Sequence, residues 1–176
     1  MSTGLKEQST NDNKTTMHTT KNDIPEKTRL KMVALLNARL ADTIDLYQQT
    51  KQAHWNVKGP SFIALHELFD KIAENVEAGI DDMAERAVAL GGVAHGTIQA
   101  VSNATTLKPY PTDISKGTDH VDALSSALAA YGKVIRAAIE DADEAGDADT
   151  ADLFTGISRS IDKQLWFVEA HVQAKS

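Results

Sequence analysis

Apolar residues recur every three or four positions along most of the chain, a spacing that predicts helices rather than strands. Four stripes of this kind stand out, and each predicts a helix with one buried face. The stripes are Leu30, Val33, Asn37, Leu40, Ile44, Tyr47, Lys51 and His54; Phe62, Leu65, Phe69, Ile72, Val76, Met83 and Leu90; Val121, Leu124, Leu128, Tyr131, Ile135 and Ala138; and Leu153, Ile157, Ile161, Leu165, Val168 and Val172. The predicted fold is therefore all-α.

The segments between the stripes predict how the helices are connected. Residues 58–60, Lys-Gly-Pro, interrupt the chain, Ser61 is placed to cap the second helix, and the pair Gly91-Gly92 ends it. The next connection, residues 93–119, is long for a helical bundle. A crossover of that length makes the second and third helices run parallel, as in ferritin-like four-helix bundles. A short extra helix is predicted within it, over the stretch TIQAVSNA.

The first 22 residues differ from the rest because they are rich in Ser, Thr, Asn and Lys. Such a segment buries too little to offset the entropy of ordering it, so residues 1–22 are predicted to form a disordered tail. Residues 23–176 are then the single folded domain. The tail is slightly basic, since Lys6, Lys14 and Lys21 outnumber its two acids.

Composition excludes several classes of function. The 176 residues include no cysteine, which rules out disulfides, thiolate zinc sites and a thiol nucleophile. No apolar segment resembles a secretion signal or a membrane span, so a cytoplasmic protein of the bacterial type is expected. The formal charge of −7 argues against a body that binds nucleic acid, and it suits a protein that attracts cations.

Two histidines and three carboxylates lie on or beside the stripes of the first two helices: His54, His66, Asp70, Asp81 and Glu85. Such groups are costly to bury unless they are paired. His66 and Asp70 are four positions apart, as are Asp81 and Glu85, so each pair shares a helix face. Any one of these residues alone is more often a surface or core group, but the combination of imidazoles and carboxylates without sulfur suits Fe(II), Mn(II) or Zn(II).

The two pairs cannot serve one site within one chain. Asp70 and Asp81 are about 16 Å apart along a helix that rises about 1.5 Å per residue, whereas the ions of a dinuclear site are about 4 Å apart. If the second helix packed antiparallel to its copy across a two-fold axis, the His66/Asp70 half would meet the Asp81/Glu85 half of the partner. Bound metal therefore requires an isologous dimer with two equivalent sites.

The same stretch carries a family resemblance. KQAHWNVKGPSFIALHELFD and DDMAERAVALGG resemble the signature of the Dps family, the mini-ferritins also called DNA-binding proteins from starved cells. LKPYPTDI and TADLFTGISRSIDKQLWFVEAH are also similar to that family, so the resemblance runs from about residue 23 to the end. It implies a ferritin-like four-helix bundle assembled into a hollow shell of twelve subunits.

The resemblance also implies a ferroxidase centre at the two-fold interface. His54, His66 and Asp70 would come from one subunit and Asp81 and Glu85 from its partner, together holding two iron ions that Zn or Mn can replace. Family members oxidise Fe(II), typically with hydrogen peroxide in preference to dioxygen, and store the ferric product as a mineral inside the shell. Iron and peroxide are therefore the expected substrates.

Two neighbours of these ligands have alternative interpretations. Lys51 is placed to form an ion pair with Asp70 and orient it, or it is a solvated lysine. Trp55, next to His54, is placed to absorb a stray oxidising equivalent, or it is a packing aromatic at the interface. The histidines at 18, 95, 120 and 171 match no ligand spacing, and no role is predicted for them.

An acidic run at residues 140–152 is either a solvated loop or part of an iron entry route. The resemblance suggests that the start of the fourth helix lines three-fold pores, where carboxylates would concentrate cations. The candidate pore acids are Asp143, Asp147, Asp149 and Asp152.

The sequence leaves three functions open. The first is an iron-oxidising, iron-storing shell that protects DNA from oxidative damage. The second is a nucleoid-associated DNA-binding protein. Twelve subunits at −7 each would carry −84 and repel phosphate, so DNA would have to bind the lysine-containing tails acting together. The third is a plain oligomeric bundle with incidental histidines.

Overall fold

The computed structural model describes residues 16–174. These residues contain five helices: α1 (Glu26–Asn56), α2 (Phe62–Ala89), α3 (Ile98–Ala104), α4 (Gly117–Glu144) and α5 (Ala148–Gln173). α1 packs along α2 and α4 along α5, and further contacts of α1 with α4 and of α2 with α5 close a four-helix bundle. The predicted all-α bundle is confirmed, and α3 is the short helix expected in the long crossover. Across this part of the chain, no helix is long and apolar enough to cross a membrane.

The core lies where the four long helices meet, and the stripes predict it unevenly. Every residue of the third stripe is buried on α4. On α1 the prediction is wrong in part, since Asn37, Ile44 and Lys51 are only half-buried. The fully buried residues there include Met32, Leu36, Leu46, Thr50 and Ala53. The reason is that α1 contacts three other helices, so its buried face is broader than one stripe.

The stripe predicted for the last helix is also displaced. Val172 is exposed, and Leu153 and Leu165 only border the core. Their neighbours Phe154 and Gln164 are buried instead. At both places the predicted and the buried positions differ by one residue, which is a rotation of about 100° around the helix. That rotation is enough to move the predicted side chain from the centre of the buried face to its edge.

A glycine follows the end of α2, as the sequence predicts, and another glycine follows the end of α4. Gly91 follows α2 with φ +89° and Gly146 follows α4 with φ +81°, a left-handed conformation that glycine adopts without a side-chain penalty. Ser61 occupies the N-cap position of α2, but its side chain makes no capping hydrogen bond. The side chain that does cap a long helix is Asp147, which accepts from the backbone N–H of Thr150 at the start of α5.

The predicted disordered tail is too long at its C-terminal end. Residues 16–22 lie against the bundle: the side chain of Met17 packs on the core, and the His18 N–H donates to the Gly91 carbonyl oxygen at 2.6 Å. Ile24 also contacts the core. Two apolar anchors and one backbone bond hold a segment that polar composition alone marked as disordered. The prediction for residues 1–15 lies outside the described residues.

Buried Asp42 fixes the crossover to the bundle. Its carboxylate is fully buried on α1 and accepts hydrogen bonds from the Thr106 backbone N–H at 2.6 Å and the Thr106 hydroxyl at 2.9 Å. Arg39 balances its charge at 3.0 Å. About two turns further along the helix, Gln49 donates to the Lys108 carbonyl oxygen at 3.0 Å. In this irregular part of the crossover, side chains of α1 thus bind backbone groups that would otherwise be hydrogen-bonded within a helix or a sheet.

Candidate functional site

Three of the five predicted metal ligands lie at the end of α1 and the start of α2. His54 lies in the last turn of α1, and His66 and Asp70 lie in the first turns of α2. The short connection between them turns at Gly59, whose φ is +115°, so that α2 folds back along α1. The two imidazole rings stack with centroids 3.8 Å apart and an interplanar angle of 20°.

Reciprocal hydrogen bonds hold the two imidazole rings. The Nδ1 of His54 lies 2.8 Å from the His66 carbonyl oxygen, and the Nδ1 of His66 lies 2.9 Å from the His54 carbonyl oxygen. A carbonyl oxygen only accepts, so each Nδ1 must carry the proton and donate. In the neutral ring, each Nε2 then keeps its lone pair free, which is the form that binds a metal ion.

Asp70 lies next to these nitrogens and is paired with Lys51. The Asp70 Oδ1 is 3.8 Å from the His54 Nε2 and 2.6 Å from the Lys51 Nζ. The ion pair predicted for Lys51 is therefore present. Its hydrogen bond lowers the pKa of Asp70 below the ordinary value for aspartate, against the opposing effect of burial. The same ammonium lies 5.8 Å from the centre of the Trp55 ring.

Replacing Lys51 with Met should raise the pKa of Asp70 toward its ordinary value, because the largest cause of the shift is removed. A depressed carboxyl pKa means that the ion pair persists as the pH falls and is lost only when the pH passes through the lowered pKa. Carboxyl ¹³C NMR of aspartate-labelled protein measures this, with Asp70→Asn identifying the resonance. Lys71→Met is the matched control, since Lys71 pairs with Glu74. An unchanged titration midpoint in Lys51→Met would contradict the assignment.

The other two predicted ligands lie elsewhere on the same chain. Asp81 and Glu85 are exposed in the second half of α2, and Asp81 is about 16 Å along the helix from Asp70 at about 1.5 Å per residue. Within residues 16–174 of one chain, no three His, Asp or Glu side chains lie close enough together to hold a metal ion. One chain thus presents two separate groups of predicted ligands, one where α1 ends and α2 begins and the other in the second half of α2.

One of the candidate pore acids is unsuited to that role. Asp147 is 2% exposed, caps α5, and accepts from the Arg86 guanidinium at 2.7 Å. A carboxylate that is buried and already paired does not face a channel, so the prediction for Asp147 is wrong. Asp143, Asp149 and Asp152 are exposed and keep their predicted role as candidates.

Arg86 is a residue that the sequence reasoning missed. It follows Glu85 directly and joins the last turn of α2 to the start of α5 through Asp147 and the Thr150 hydroxyl, the latter at 3.0 Å. The contact therefore fixes the turn that presents Glu85. The dipeptide Gly146-Asp147 was the available signal, because glycine commonly ends one helix and aspartate commonly begins the next.

The sequence predicts no role for His120, and the structure shows that this residue is almost completely buried. Its Nδ1 lies 2.9 Å from the Tyr110 hydroxyl, which ties the end of the crossover to α4. Burial lowers the pKa of His120. This histidine is a core residue near the backbone of Asn56, where α1 ends, and it lies outside the ligand cluster.

Comparisons with known proteins identify similar sequences and similar structures among the ferritin-like proteins. A family model described as a ferritin-like domain matches residues 33–175. The DNA protection during starvation protein of Agrobacterium fabrum is 55% identical over 159 residues, covering 90% of this chain and 98% of that protein. Among solved structures, DpsC from Streptomyces coelicolor is similar with a TM-score of 0.87 and 32% identity, covering 92% of this chain and 94% of that one. Mycobacterium smegmatis Dps superimposes with a TM-score of 0.85 and 30% identity, over 89% and 96% of the two chains.

Proposed function

Since the chain belongs to the Dps proteins of the ferritin-like family, we propose that it is an iron-storing ferroxidase. It oxidises Fe(II) at dinuclear sites shared between two subunits and stores the ferric product inside a closed shell of twelve subunits. Removing reactive iron in this way would protect DNA from oxidative damage.

The observation that carries this proposal is the pair of oriented imidazoles beside a carboxylate. The backbone carbonyl groups that bind the two Nδ1–H groups leave both Nε2 lone pairs available, and the Asp70 Oδ1 is 3.8 Å from one of them. Imidazole nitrogens and carboxylate oxygens fit Fe(II), and also Zn(II) or Mn(II) as substitutes. Two histidines that only packed against each other would not need to keep both Nε2 atoms free of backbone hydrogen bonds.

The second half of each site comes from a partner subunit. His54, His66 and Asp70 of one chain would face Asp81 and Glu85 of another across a two-fold axis. The reason is that α2 places its first pair of ligands too far from its second pair for them to act together within one chain. Carboxylates favour the harder Fe(III) product, and imidazoles hold Fe(II). A ligand set that leaves coordination positions free lets the oxidant reach the metal.

The proposed oxidant is hydrogen peroxide. Two Fe(II) ions supply two electrons, which reduce one H₂O₂ to two water molecules with the uptake of two protons. Taking both electrons from paired irons avoids the one-electron cleavage that releases a hydroxyl radical. Lys51 would hold Asp70 in place until the iron ions compete for its carboxylate.

Cations would enter the shell through acid-lined openings. Asp143, Asp149 and Asp152 are exposed around the junction of α4 and α5, and a ring of such groups would raise the local concentration of Fe(II). Trp55, which is also exposed, remains either an electron donor beside the site or an interface residue.

The protein should suppress hydroxyl radical formation from Fe(II) and peroxide. We expect the spin-trap signal to fall to near background when ferroxidase sites are in excess over iron, because the two electrons leave together. The variant His54→Ala/His66→Ala is the control and should leave the signal close to that of a protein-free mixture. An equal signal with and without the wild-type protein would refute the proposed chemistry.

A second candidate function is direct DNA binding, which the lysine-containing N-terminus supports. If DNA binds, deleting residues 1–15 should abolish binding, since an acidic body offers few phosphate contacts. The deletion ends before Thr16 because the following residues pack on the bundle. A gel shift at low and moderate salt measures this, and the affinity of the full chain should fall steeply with salt. Full affinity in the shortened protein would move the DNA surface to the body.

A further inference from the structure

The outer face of α2 carries exposed apolar side chains at both ends. Phe62, Ile63 and Val88 are the large hydrophobic residues of this helix that are exposed in the described chain. Ile63 is 60% exposed and Val88 is 55% exposed. Phe62 is less exposed and leans on the ring of His66, with centroids 5.1 Å apart, so Ile63 is the residue that projects freely.

A shallow hollow lies at the opposite end of the helix from Ile63. Its volume is about 430 Å³, and it is lined by Ala84, Glu85, Val88, Ala89 and Ala94. Four of these five side chains are apolar, and the fifth is a proposed metal ligand. Exposed apolar surface of this kind costs free energy unless a partner covers it.

The spacing of the metal ligands sets the register of two antiparallel α2 helices. Facing residues have position numbers with a constant sum, and the proposed pairs 66 with 85 and 70 with 81 both add to 151. The sum for Ile63 and Val88 is also 151. The ligand positions alone define that register, and it also brings the two exposed apolar ends of α2 together.

The middle of the same register offers little apolar attraction. Glu74 faces Glu77 across the two-fold axis, since these positions also add to 151. Lys71 already pairs with Glu74 on its own helix. Burial at the two ends is therefore the contact that can both hold the helices and set their alignment.

We propose that Ile63 of one chain inserts into the hollow around Val88 of a second copy, and that two such contacts per dimer lock the register that completes each metal site. The occupant is a second copy of this chain, because only its α2 presents an isoleucine at the position that the ligand register demands. This inference rests on the proposed shared site, and it assigns alignment to an apolar contact next to the ligands. Ile63 is thus a positioning residue.

Engineered cysteines test the contact directly, since the wild-type chain has none. Under mild oxidation, the variant Ile63→Cys/Val88→Cys should form a dimer that survives a denaturing gel and is separated by reductant. The two cysteines cannot bridge within one chain, because 25 positions of helix separate them by about 37 Å.

Matched controls exclude random collision. Ile63→Cys alone and Val88→Cys alone should stay monomeric on the gel. Ile63→Cys/Ala78→Cys should do the same, because exposed Ala78 is about 15 Å along the helix from Val88. If the double variant does not fold, the two single-cysteine chains are dissociated, mixed and reassembled, and half of the pairs should cross-link one of their two contacts. Assembled protein without a cross-link overturns the proposal, as does equal cross-linking of the Ala78 control.

Running the cross-link on metal-free protein separates this inference from the ferroxidase proposal. A cross-linked dimer that does not oxidise Fe(II) would keep the contact and reject the chemistry. Active protein that never cross-links would keep the shared site and reject the Ile63 contact.

Discussion

Two inactive variants should restore about a quarter of wild-type Fe(II) oxidation when their subunits are mixed. The first carries His54→Ala and His66→Ala, and the second carries Asp81→Ala and Glu85→Ala. Each alone should assemble and oxidise Fe(II) at least about tenfold more slowly, since losing even a supporting contact of a metal ligand costs about that much. After equal mixing and exchange, half of the dimers are mixed. In each mixed dimer, one of two sites combines intact histidines with intact carboxylates.

The mixing experiment distinguishes a shared site from a site within one chain. If all five residues acted within one chain, no mixture would recover activity, whatever the degree of subunit exchange. Mixing two samples of the same variant is the first control. Glu67→Ala/Asp82→Ala is the second, because it removes two exposed acids from the same helix and should leave the rate near that of the wild type. Confirmed exchange without recovery would contradict the shared site.

Spacing along one helix was sufficient to predict how the candidate ligands of α2 are arranged. The angular and axial positions of these residues follow from helix geometry alone, and they lead to the prediction that a second subunit completes the site. The core of α4 was predicted correctly for the same reason, since this helix buries one regular stripe. Where a helix contacts several neighbours, as α1 does, spacing cannot tell which flank is covered.

Contacts between distant segments could not be predicted from these patterns. The bonds that orient His54 and His66 use backbone carbonyl groups, whose directions depend on how α2 folds back over α1. Asp42 and Thr106 are far apart in the sequence and meet only because the crossover returns to the bundle. Similarly, Met17 anchors a segment whose composition is otherwise typical of disorder, because one side chain finds the core.

Asp147 shows how an acidic run conceals different roles, and replacing it with alanine should destabilise the protein strongly. The change removes the cap of α5 and leaves the Arg86 guanidinium, which is mostly buried, without its carboxylate. Breaking a buried ion pair costs about 3–5 kcal/mol. At about 2–4 °C per kcal/mol for a chain of this size, the thermal midpoint should fall by about 6–20 °C. Calorimetry at a fixed protein concentration measures the shift.

Asp149→Ala is the matched control for this effect. It removes an acid of the same run that also lies near Arg86, but at 3.8 Å and with its side chain 82% exposed. Exposed ion pairs contribute about 1 kcal/mol or less, so the midpoint should move by about 4 °C at most. Fe(II) oxidation should respond in the same order, because only Asp147 holds the turn that presents Glu85. Equal shifts for the two variants would mean that Asp147 is an ordinary surface acid, and its place among the pore candidates would then have to be restored.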